Sequence, residues 1–308
     1  MKKQLLELRG IITVLNTPFT EEDAVDLPSL RKNVRYALEC GVAGFLVPAM
    51  ASEVDKLSRE ERRQIVEAVL EENRSRVPVI GGASAATAVE RRQNAAALIE
   101  LGCQGVLASI PFQDEEQYER DVRALDALKP GFLMIQDWDF QGYGLTIALI
   151  TRLFEEVESF RCLKVEVVPA GVKYSQVLSA TGGKLHVSGG WAVMQIIEAL
   201  DRGVHAFMPT GMHELYTRIY DLYREGRRDE ARLLFERLLP VLAFANQHLD
   251  ISIHFFKRLL YKQGIYATPR VREPILPFDE VHEKVADQLI GRVIELCRQA
   301  RESGNLPK

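Results

Sequence analysis

The sequence has few of the residues that mark several large classes of protein. Its 308 residues include only four cysteines (Cys40, Cys103, Cys162 and Cys297), which lie far apart and show no CxxC or other metal-ligand spacing. A disulfide scaffold and a cysteine-ligated metal site are therefore not expected. Such a cysteine usage is typical of a cytoplasmic protein whose thiols stay reduced.

The sequence also lacks a charge excess and a long apolar run. The sequence contains 39 Lys+Arg and 43 Asp+Glu residues, so its formal net charge is −4 and the basic excess of a nucleic-acid binder is absent. No stretch approaches the ~18 apolar residues of a membrane span. No apolar segment follows the lysines of the start, MKKQLLELRG, so no signal peptide is predicted. With 47% hydrophobic and 27% charged residues, the sequence predicts a globular cytoplasmic protein without nucleic-acid or membrane partners.

Short β-rich runs alternate with longer helical patterns along the chain. Most of these runs are continuously apolar, which is typical of parallel strands covered on both faces. The predicted strands occupy residues 10–16, 44–49, 77–82, 105–111, 131–137, 161–168, 184–190 and 205–211. Eight consecutive βα units predict an α/β fold, namely a (β/α)8 TIM barrel. A doubly wound sheet is the weaker alternative, because no GxGxxG fingerprint follows the first strand.

The helical segments carry recognisable start signals. Ser58 with Glu61 and Thr87 with Glu90 have the spacing of a capping box. After the eighth strand the pattern becomes purely helical, with candidate helices at residues 213–225, 229–248, 251–264 and 280–303. We therefore predict a barrel in residues 1–225 and, in residues 226–308, a C-terminal helical extension packed on the barrel.

The sixth predicted strand places charged residues inside an apolar run. Because side chains alternate along a strand, Lys164 and Glu166 share one face, opposite Leu163 and Val165. In a barrel the aliphatic face meets the helices, so Lys164 and Glu166 point into the interior. An isolated ammonium there is costly, which favours the neutral amine, a nucleophile toward carbonyl carbon. Periodicity alone favours another interpretation, a structural ion pair between two residues about 7 Å apart on one strand face.

Two loop regions are weaker candidates for anion binding. The loop of residues 48–58 is rich in small residues, and the backbone N–H groups of Met50 and Ala51 could hold a carboxylate or phosphate. Gly189 and Gly190 lie at the end of the seventh predicted strand, where phosphate sites of such barrels often lie. A turn with positive φ is the simpler interpretation of these two glycines.

An ordered set of short pieces gives the chain a family resemblance. The pieces are Thr17-Pro18-Phe19, Ala49–Glu53 leading into Leu57–Arg62, Ile80-Gly81-Gly82, Pro111-Phe112, Lys164, and Ser188-Gly189. No single piece is specific, but together and in this order they resemble the dihydrodipicolinate synthase / N-acetylneuraminate lyase family of class I aldolases.

The resemblance implies a fold, an assembly and a chemistry. Members of this family are (β/α)8 barrels with a C-terminal helical extension, use no metal or organic cofactor, and are usually homotetramers. A homo-oligomer, either a tetramer or a dimer, is therefore expected. The resemblance further implies that Lys164 forms a Schiff base with a 2-oxo acid. By the same resemblance, the N–H groups of Met50 and Ala51 hold the substrate carboxylate, and Ser188 and Gly189 are further substrate-binding residues.

The departures from the family pattern concern proton transfer. The usual Gly-Thr-Thr-Gly-Glu loop has Met50 and Ala51 in place of both threonines. Gln136 stands where the family has a tyrosine at the end of strand five, and an amide cannot transfer a proton at neutral pH. The arginine that binds a second carboxylate in dihydrodipicolinate synthases falls near Gln141. These departures argue against dihydrodipicolinate synthesis.

Other residues must then complete the site. Glu166 is the first candidate for the proton carrier, although it could equally be only the counter-ion of Lys164. Asp137, beside Gln136, is the second candidate, and it could instead bind substrate hydroxyls. Trp138 and Phe207 could give the pocket an apolar wall that favours a less hydrophilic aldehyde, whereas burial in the shell of the barrel is the alternative for each ring.

The resulting functional prediction is a Schiff-base-forming lyase, either an aldolase or a dehydratase. Its substrate is expected to be a 2-oxo acid such as pyruvate or a 2-keto-3-deoxy sugar acid. One alternative is a catalytically degenerate barrel that binds 2-oxo or sugar acids. The missing proton relay favours that alternative, whereas the retained buried lysine argues against it. A phosphate-binding enzyme without Schiff-base chemistry is the third possibility.

Overall fold

The computed structural model describes residue 5 and residues 8–302, apart from the side chains of residues 191 and 192. The strands are β1 (Gly10–Val14), β2 (Gly44–Leu46), β3 (Val79–Gly82), β4 (Gly105–Ser109), β5 (Phe132–Asp139), β6 (Phe160–Val167), β7 (His186–Gly189) and β8 (Ala206–Phe207). The helices are α1 (Leu27–Glu39), α2 (Arg59–Asn73), α3 (Ala88–Leu101), α4 (Glu115–Asp126), α5 (Ile147–Glu156), α6 (Gly171–Ala180), α7 (Ile196–Asp201), α8 (His213–Arg224), α9 (Arg228–Ala245), α10 (Leu249–Lys262) and α11 (Glu280–Glu302).

The strands form one closed parallel barrel in the order β1-β2-β3-β4-β5-β6-β7-β8. This confirms the predicted (β/α)8 fold with further helices after it. Sequential order follows from the βα rhythm, since right-handed crossovers place each strand beside the one before it. Several strands are shorter than predicted, because the apolar runs continue past the hydrogen-bonded ladder. The second, third, fourth and eighth runs each include a proline (Pro48, Pro78, Pro111 and Pro209), which has no N–H to donate to a ladder.

The chain divides into two compact units. The first comprises Met1–Ile12, Ala43–Leu46 and Pro78–Pro209, which include strands β2–β8, the start of β1 and helices α3–α7. The second comprises Thr13–Val42, Val47–Val77 and Thr210–Lys308, which include α1, α2 and α8–α11. The predicted boundary after residue 225 matches neither unit and stays a prediction.

Capping side chains begin helices in both units. In the second unit, Ser58 Oγ accepts the N–H of Glu61 at 3.2 Å, and the Glu61 carboxylate accepts the N–H of Ser58 at 2.8 Å. In the first unit, Thr87 Oγ1 accepts the N–H of Glu90 at 3.2 Å. These contacts confirm both predicted helix starts, and each satisfies N–H groups that have no partner within the helix.

The C-terminal helices agree with the predicted ranges to within a few residues. The predicted end of the last helix, Ser303, lies outside the described residues. The prediction that the chain has no signal peptide concerns the start of the sequence, of which residues 1–4, 6 and 7 also lie outside the described residues. Within the described part of the chain, no helix combines the length and apolarity needed to cross a membrane.

Candidate active site

Strand β6 places a lysine and a glutamate together in a buried position. Lys164 and Glu166 are 7% and 8% exposed, and Lys164 Nζ lies 3.0 Å from Glu166 Oε2. Leu163 and Val165 on the opposite strand face are fully buried. The structure therefore contains the ion pair that strand periodicity favoured. The carboxylate is also within reach of any proton that the amine releases.

Gln136 binds the carboxylate of this pair. It is the Cα partner of Lys164 across the β5–β6 ladder, and its Nε2 donates a hydrogen bond to Glu166 Oε2. Two donors thus converge on one carboxylate oxygen, and hydrogen bonds to an ionised carboxylate are stronger than those between neutral groups. Gln136 therefore holds the Glu166 carboxylate in position.

Gly190 leaves the space that this pair occupies. A Cβ at Gly190 would lie 1.9 Å from Glu166 Oε1 and 2.7 Å from Lys164 Cε. Its φ is −81°, so the interpretation of this glycine as a positive-φ turn residue is wrong. A Cβ here would have to displace the ends of the Glu166 and Lys164 side chains, so the glycine leaves room for the ion pair. No local pattern in the sequence indicated this reason for a glycine at position 190.

Ser188 lies beside Lys164 on strand β7, where it is the Cα partner of the lysine. Its hydroxyl is fully buried and donates to the carbonyl of Leu163 at 3.5 Å. The thiol of Cys162 lies 3.9 Å from the same hydroxyl. Ser188 therefore shares the Lys164 face, as a substrate-binding residue would have to, although its part in binding stays a prediction.

A neutral polar layer lies one step deeper in the barrel. His186 Nε2 lies 2.6 Å from the carbonyl of Leu8, so Nε2 carries the proton and Nδ1 accepts from the Cys162 thiol at 3.0 Å. Burial raises the pKa of the Cys162 thiol and lowers the pKa of His186 to about 3. His186 is therefore a hydrogen-bonded residue of the core. Among residues 8–302, no three His, Cys, Asp or Glu side chains are grouped so as to hold a metal ion.

Strand β8 presents a different residue than expected. Ser188 pairs with Ala206, whereas Gly189 pairs with Phe207. Since paired residues of parallel strands point to the same face, the fully buried Phe207 lies on the face opposite to Lys164 and Ser188. The structure therefore does not bring Phe207 or Gly189 together with the lysine. Met208 shares the Lys164 face instead, with its Sδ 4.0 Å from Ser188 Oγ, and the sequence contained no register from which to identify it.

Asp137 is engaged away from the Lys164 face. Its carboxylate pairs with Lys173 of α6 at 2.6 Å and accepts the N–H of Leu145 at 2.9 Å. Lys173 is fully buried and also donates to the carbonyls of Leu145, at 2.6 Å, and Tyr143. Burial raises the pKa of Asp137, and the charge of Lys173 opposes that shift. Asp137 therefore holds the loop between β5 and α5, and sequence reasoning missed Lys173 because nothing in its pattern separates it from a surface lysine.

The loop after β2 belongs to the second unit and forms a short 3-10 helix, Met50–Ser52. Ser52 Oγ accepts the N–H of Ala49 at 3.0 Å and donates to the carbonyl of Leu15 at 2.6 Å. The first N–H groups of a helix have no partner within it, so those of Met50 and Ala51 point to no acceptor of their own turn. Their predicted role in holding a carboxylate stays a prediction.

Glu53 ends the same loop and serves a structural purpose. Its carboxylate binds Lys257, and both side chains are fully buried. The N–H of Arg272 donates to the same carboxylate at 2.9 Å. Burial lowers the pKa of Lys257 to about 8, with Glu53 opposing the shift. The glutamate of the family-like loop is thus tied to α10 and to the segment before α11.

Comparisons with known proteins agree with this architecture. The model of the Dihydrodipicolinate synthetase family matches residues 7–292. The chain is similar to the L-2-keto-3-deoxyarabonate dehydratase of Azospirillum brasilense, with 25% identity over 294 residues that cover 92% of this chain and 93% of the dehydratase. It is also similar to the 4-hydroxy-tetrahydrodipicolinate synthase of Pelobacter propionicus, with 28% identity over 239 residues, 76% of this chain and 81% of that protein. Its fold is similar to that of the dihydrodipicolinate synthase from Rhodopseudomonas palustris, with a TM-score of 0.86 and 22% identity over 95% of this chain and 100% of that one.

Proposed function

The chain belongs to the dihydrodipicolinate synthetase family, and we propose that it is a Schiff-base-forming lyase, an aldolase or a dehydratase, acting on a 2-oxo acid. Pyruvate and 2-keto-3-deoxy sugar acids are examples of such substrates. The observation that supports this proposal most is the buried amine of Lys164, which lies 3.0 Å from a carboxylate on the same strand face.

The first step forms the covalent intermediate. Lys164 passes a proton to Glu166, which leaves a neutral amine beside a neutral carboxylic acid in the buried site. The amine attacks C2 of the 2-oxo acid, and the former carbonyl oxygen takes one proton from the amine nitrogen and one from Glu166 before it leaves as water. The product is an iminium between Nζ and C2, which withdraws electrons from C3.

The second step uses the carboxylate that the first step regenerates. For dehydration, Glu166 removes a proton from C3, and the hydroxyl on C4 leaves with that proton. For cleavage, Glu166 removes the proton of the C4 hydroxyl, the C3–C4 bond breaks, and its electron pair moves toward the iminium nitrogen. General acid–base help of this kind typically contributes about 10²–10⁴-fold to the rate.

The presence of an amide at Gln136 supports the proposal that this lyase does not make dihydrodipicolinate. Its amide orients the Glu166 carboxylate and cannot replace the tyrosine hydroxyl that relays protons in the family pattern. In this proposal, Glu166 transfers the protons that the tyrosine transfers in the family pattern. By the same family membership, we propose a homo-oligomer, either a tetramer or a dimer, located in the cytoplasm.

Borohydride reduction in the presence of pyruvate, followed by peptide mass mapping, tests the proposal. The expected result is one reduced adduct on the peptide that contains Lys164. Lys164→Met abolishes it, whereas Lys184→Met, a change near the start of β7, leaves it intact. A dehydratase or aldolase assay with a panel of 2-oxo acids then identifies the reaction.

The same experiment separates the rival functions. Tight 2-oxo-acid binding without any adduct would support the degenerate binding barrel. In that case the Lys164–Glu166 ion pair would be purely structural. An adduct on a different lysine would contradict the assignment of Lys164.

A further inference from the structure

Trp138 lies beside Glu166 in the ladder of the barrel, one alternate position beyond Gln136. It follows Gln136 by two residues on β5, so both side chains belong to the same strand face. Its Cα partner on β6 is Glu166, as that of Gln136 is Lys164. Alternate residues of a strand are about 7 Å apart along its axis, so the indole lies one residue layer from the amine, toward the C-terminal end of the strands.

This tryptophan presents an aromatic surface to solvent. Trp138 is 46% exposed and Phe140 is 49% exposed, which is unusual for two large apolar side chains so close together. Their rings meet edge to face, with centroids 5.8 Å apart and planes at 78°. That contact fixes the orientation of the indole while it remains accessible.

The two carboxylates of β5 next to Trp138 are occupied by internal contacts. Asp139 accepts the N–H groups of Gln141 at 2.9 Å, Gly142 at 2.7 Å and Gly144 at 3.1 Å, contacts that lower its pKa. Asp137 is held by Lys173. Asp137, the candidate for binding the hydroxyls of a sugar acid, and Asp139 therefore both shape the loop between β5 and α5.

Glycine fixes the loop in this shape. Gly144 has φ +63°, and a Cβ there would lie 2.2 Å from Asp137 Oδ1. Trp138 lies at the end of β5, and Phe140 follows directly in the loop that these contacts shape, so little ordering is needed when a ligand binds to the two rings.

From this arrangement we infer that the group on C4 of the substrate is aromatic or otherwise planar and apolar, and that it stacks on Trp138. The inference rests on the proposed function, because it places the 2-oxo acid as an iminium on Lys164. The favoured substrate class is then a 4-aryl-4-hydroxy-2-oxo acid. Its C3–C4 bond breaks, the proton of the C4 hydroxyl goes to Glu166, and an aromatic aldehyde leaves while the pyruvate part stays on the lysine as an enamine.

The test compares 4-hydroxy-4-phenyl-2-oxobutanoate with a 2-keto-3-deoxy sugar acid as substrates. The wild type is expected to have the higher kcat/KM with the aryl substrate. Trp138→Ala should lower that kcat/KM by roughly tenfold or more, an effect of the size of one aromatic contact together with its buried area. It should leave the kcat/KM for the sugar acid within about twofold. Trp138→Phe should restore most of the aryl activity, and Tyr261→Ala, a change at an exposed aromatic residue of α10, should alter neither value.

The outcomes distinguish this inference from the proposed function. An equal effect of Trp138→Ala on both substrates, no effect on either, or a wild-type preference for the sugar acid would overturn the inference while the pyruvate adduct persists. A change of oligomeric state in Trp138→Ala, measured by light scattering, would assign the ring to a subunit contact and also overturn it. Absence of the adduct in the wild type would contradict the proposed function, and this inference would fail with it.

Discussion

Lys164 and Glu166 form a buried ion pair that has two consequences for experiments. Removing one partner of a buried pair leaves an uncompensated charge and costs about 3–5 kcal/mol of stability. Truncation of Lys164 alone therefore combines a loss of chemistry with a loss of stability. Variants that keep the size and hydrogen bonds of the residue are the better probes of mechanism.

Replacement of Glu166 by glutamine separates these effects. Glu166→Gln keeps a polar side chain beside Gln136 but cannot carry a proton, so kcat should fall by about 10²–10⁴-fold. The matched control, Glu158→Gln, removes an exposed carboxylate that pairs with Arg161 and should leave kcat unchanged. Steady-state kinetics with the identified substrate measures both variants. An unchanged kcat in Glu166→Gln would exclude this carboxylate as the proton carrier.

Gly190→Ala should disrupt the pair without straining the backbone. The added Cβ would occupy the space of Glu166 Oε1, at 1.9 Å, while the φ of −81° suits alanine. We expect loss of the pyruvate adduct in a protein that still folds, as judged by circular dichroism. Gly291→Ala in α11 is the control, because nothing lies within 4 Å of its new Cβ and alanine favours helices. Normal adduct formation in Gly190→Ala would show that the pair tolerates displacement.

The loop between β5 and α5 depends on a second buried pair, Asp137 with Lys173 of α6. Lys173→Met would leave the carboxylate without its counter-ion, and we expect a loss of about 3–5 kcal/mol in the free energy of unfolding. In a double-mutant cycle, adding Asp137→Asn should recover part of that loss, since the buried charge is then removed. Urea unfolding measures all three variants. Strictly additive effects would argue against the coupling.

The sequence predicted the positions and order of the strands, but it did not predict the residues at which they end. Continuous apolar runs and the βα rhythm identified every strand of the barrel in order. The run around Ala206–Phe207 extends well beyond the paired residues, because burial of a segment and its hydrogen bonding in a ladder have different limits. Side-chain alternation likewise placed Lys164 and Glu166 correctly on one face.

The remainder of the site depends on contacts between distant segments. Gly190 matters because of the space beside two side chains of another strand, and Lys173 because of a carboxylate on β5. Neither relation leaves a local pattern in the sequence. The assignment of Phe207 to the pocket lacked the register between β7 and β8, which only the folded ladder fixes.

Buried histidines should make the stability of the whole protein depend on pH. Burial lowers the pKa of His186 to about 3, and the pKa of His205 and His213 to about 4. The unfolded chain binds protons near pH 6.5, whereas the folded chain does not, so the stabilisation is complete above that pH and is lost as the pH falls toward 4. Each fully buried histidine contributes as much as about 1.4 kcal/mol per pH unit in that window.

Urea unfolding at pH 7, 6 and 5 measures this dependence. The free energy of unfolding should decrease with each step toward acid, and His213→Gln should reduce the slope. His213 contacts Thr13 and Asn33 at 3.1 Å each, and glutamine can replace one of these hydrogen bonds. A free energy that is constant or rises from pH 7 to pH 5 would contradict the account.

The most direct test of the central claim is a crystal structure of the wild-type protein soaked with pyruvate. The account predicts continuous electron density between Nζ of Lys164 and C2 of the ligand, with the Glu166 carboxylate no longer paired to an ammonium. Pyruvate bound without a covalent link, beside an intact Lys164–Glu166 ion pair, would contradict it.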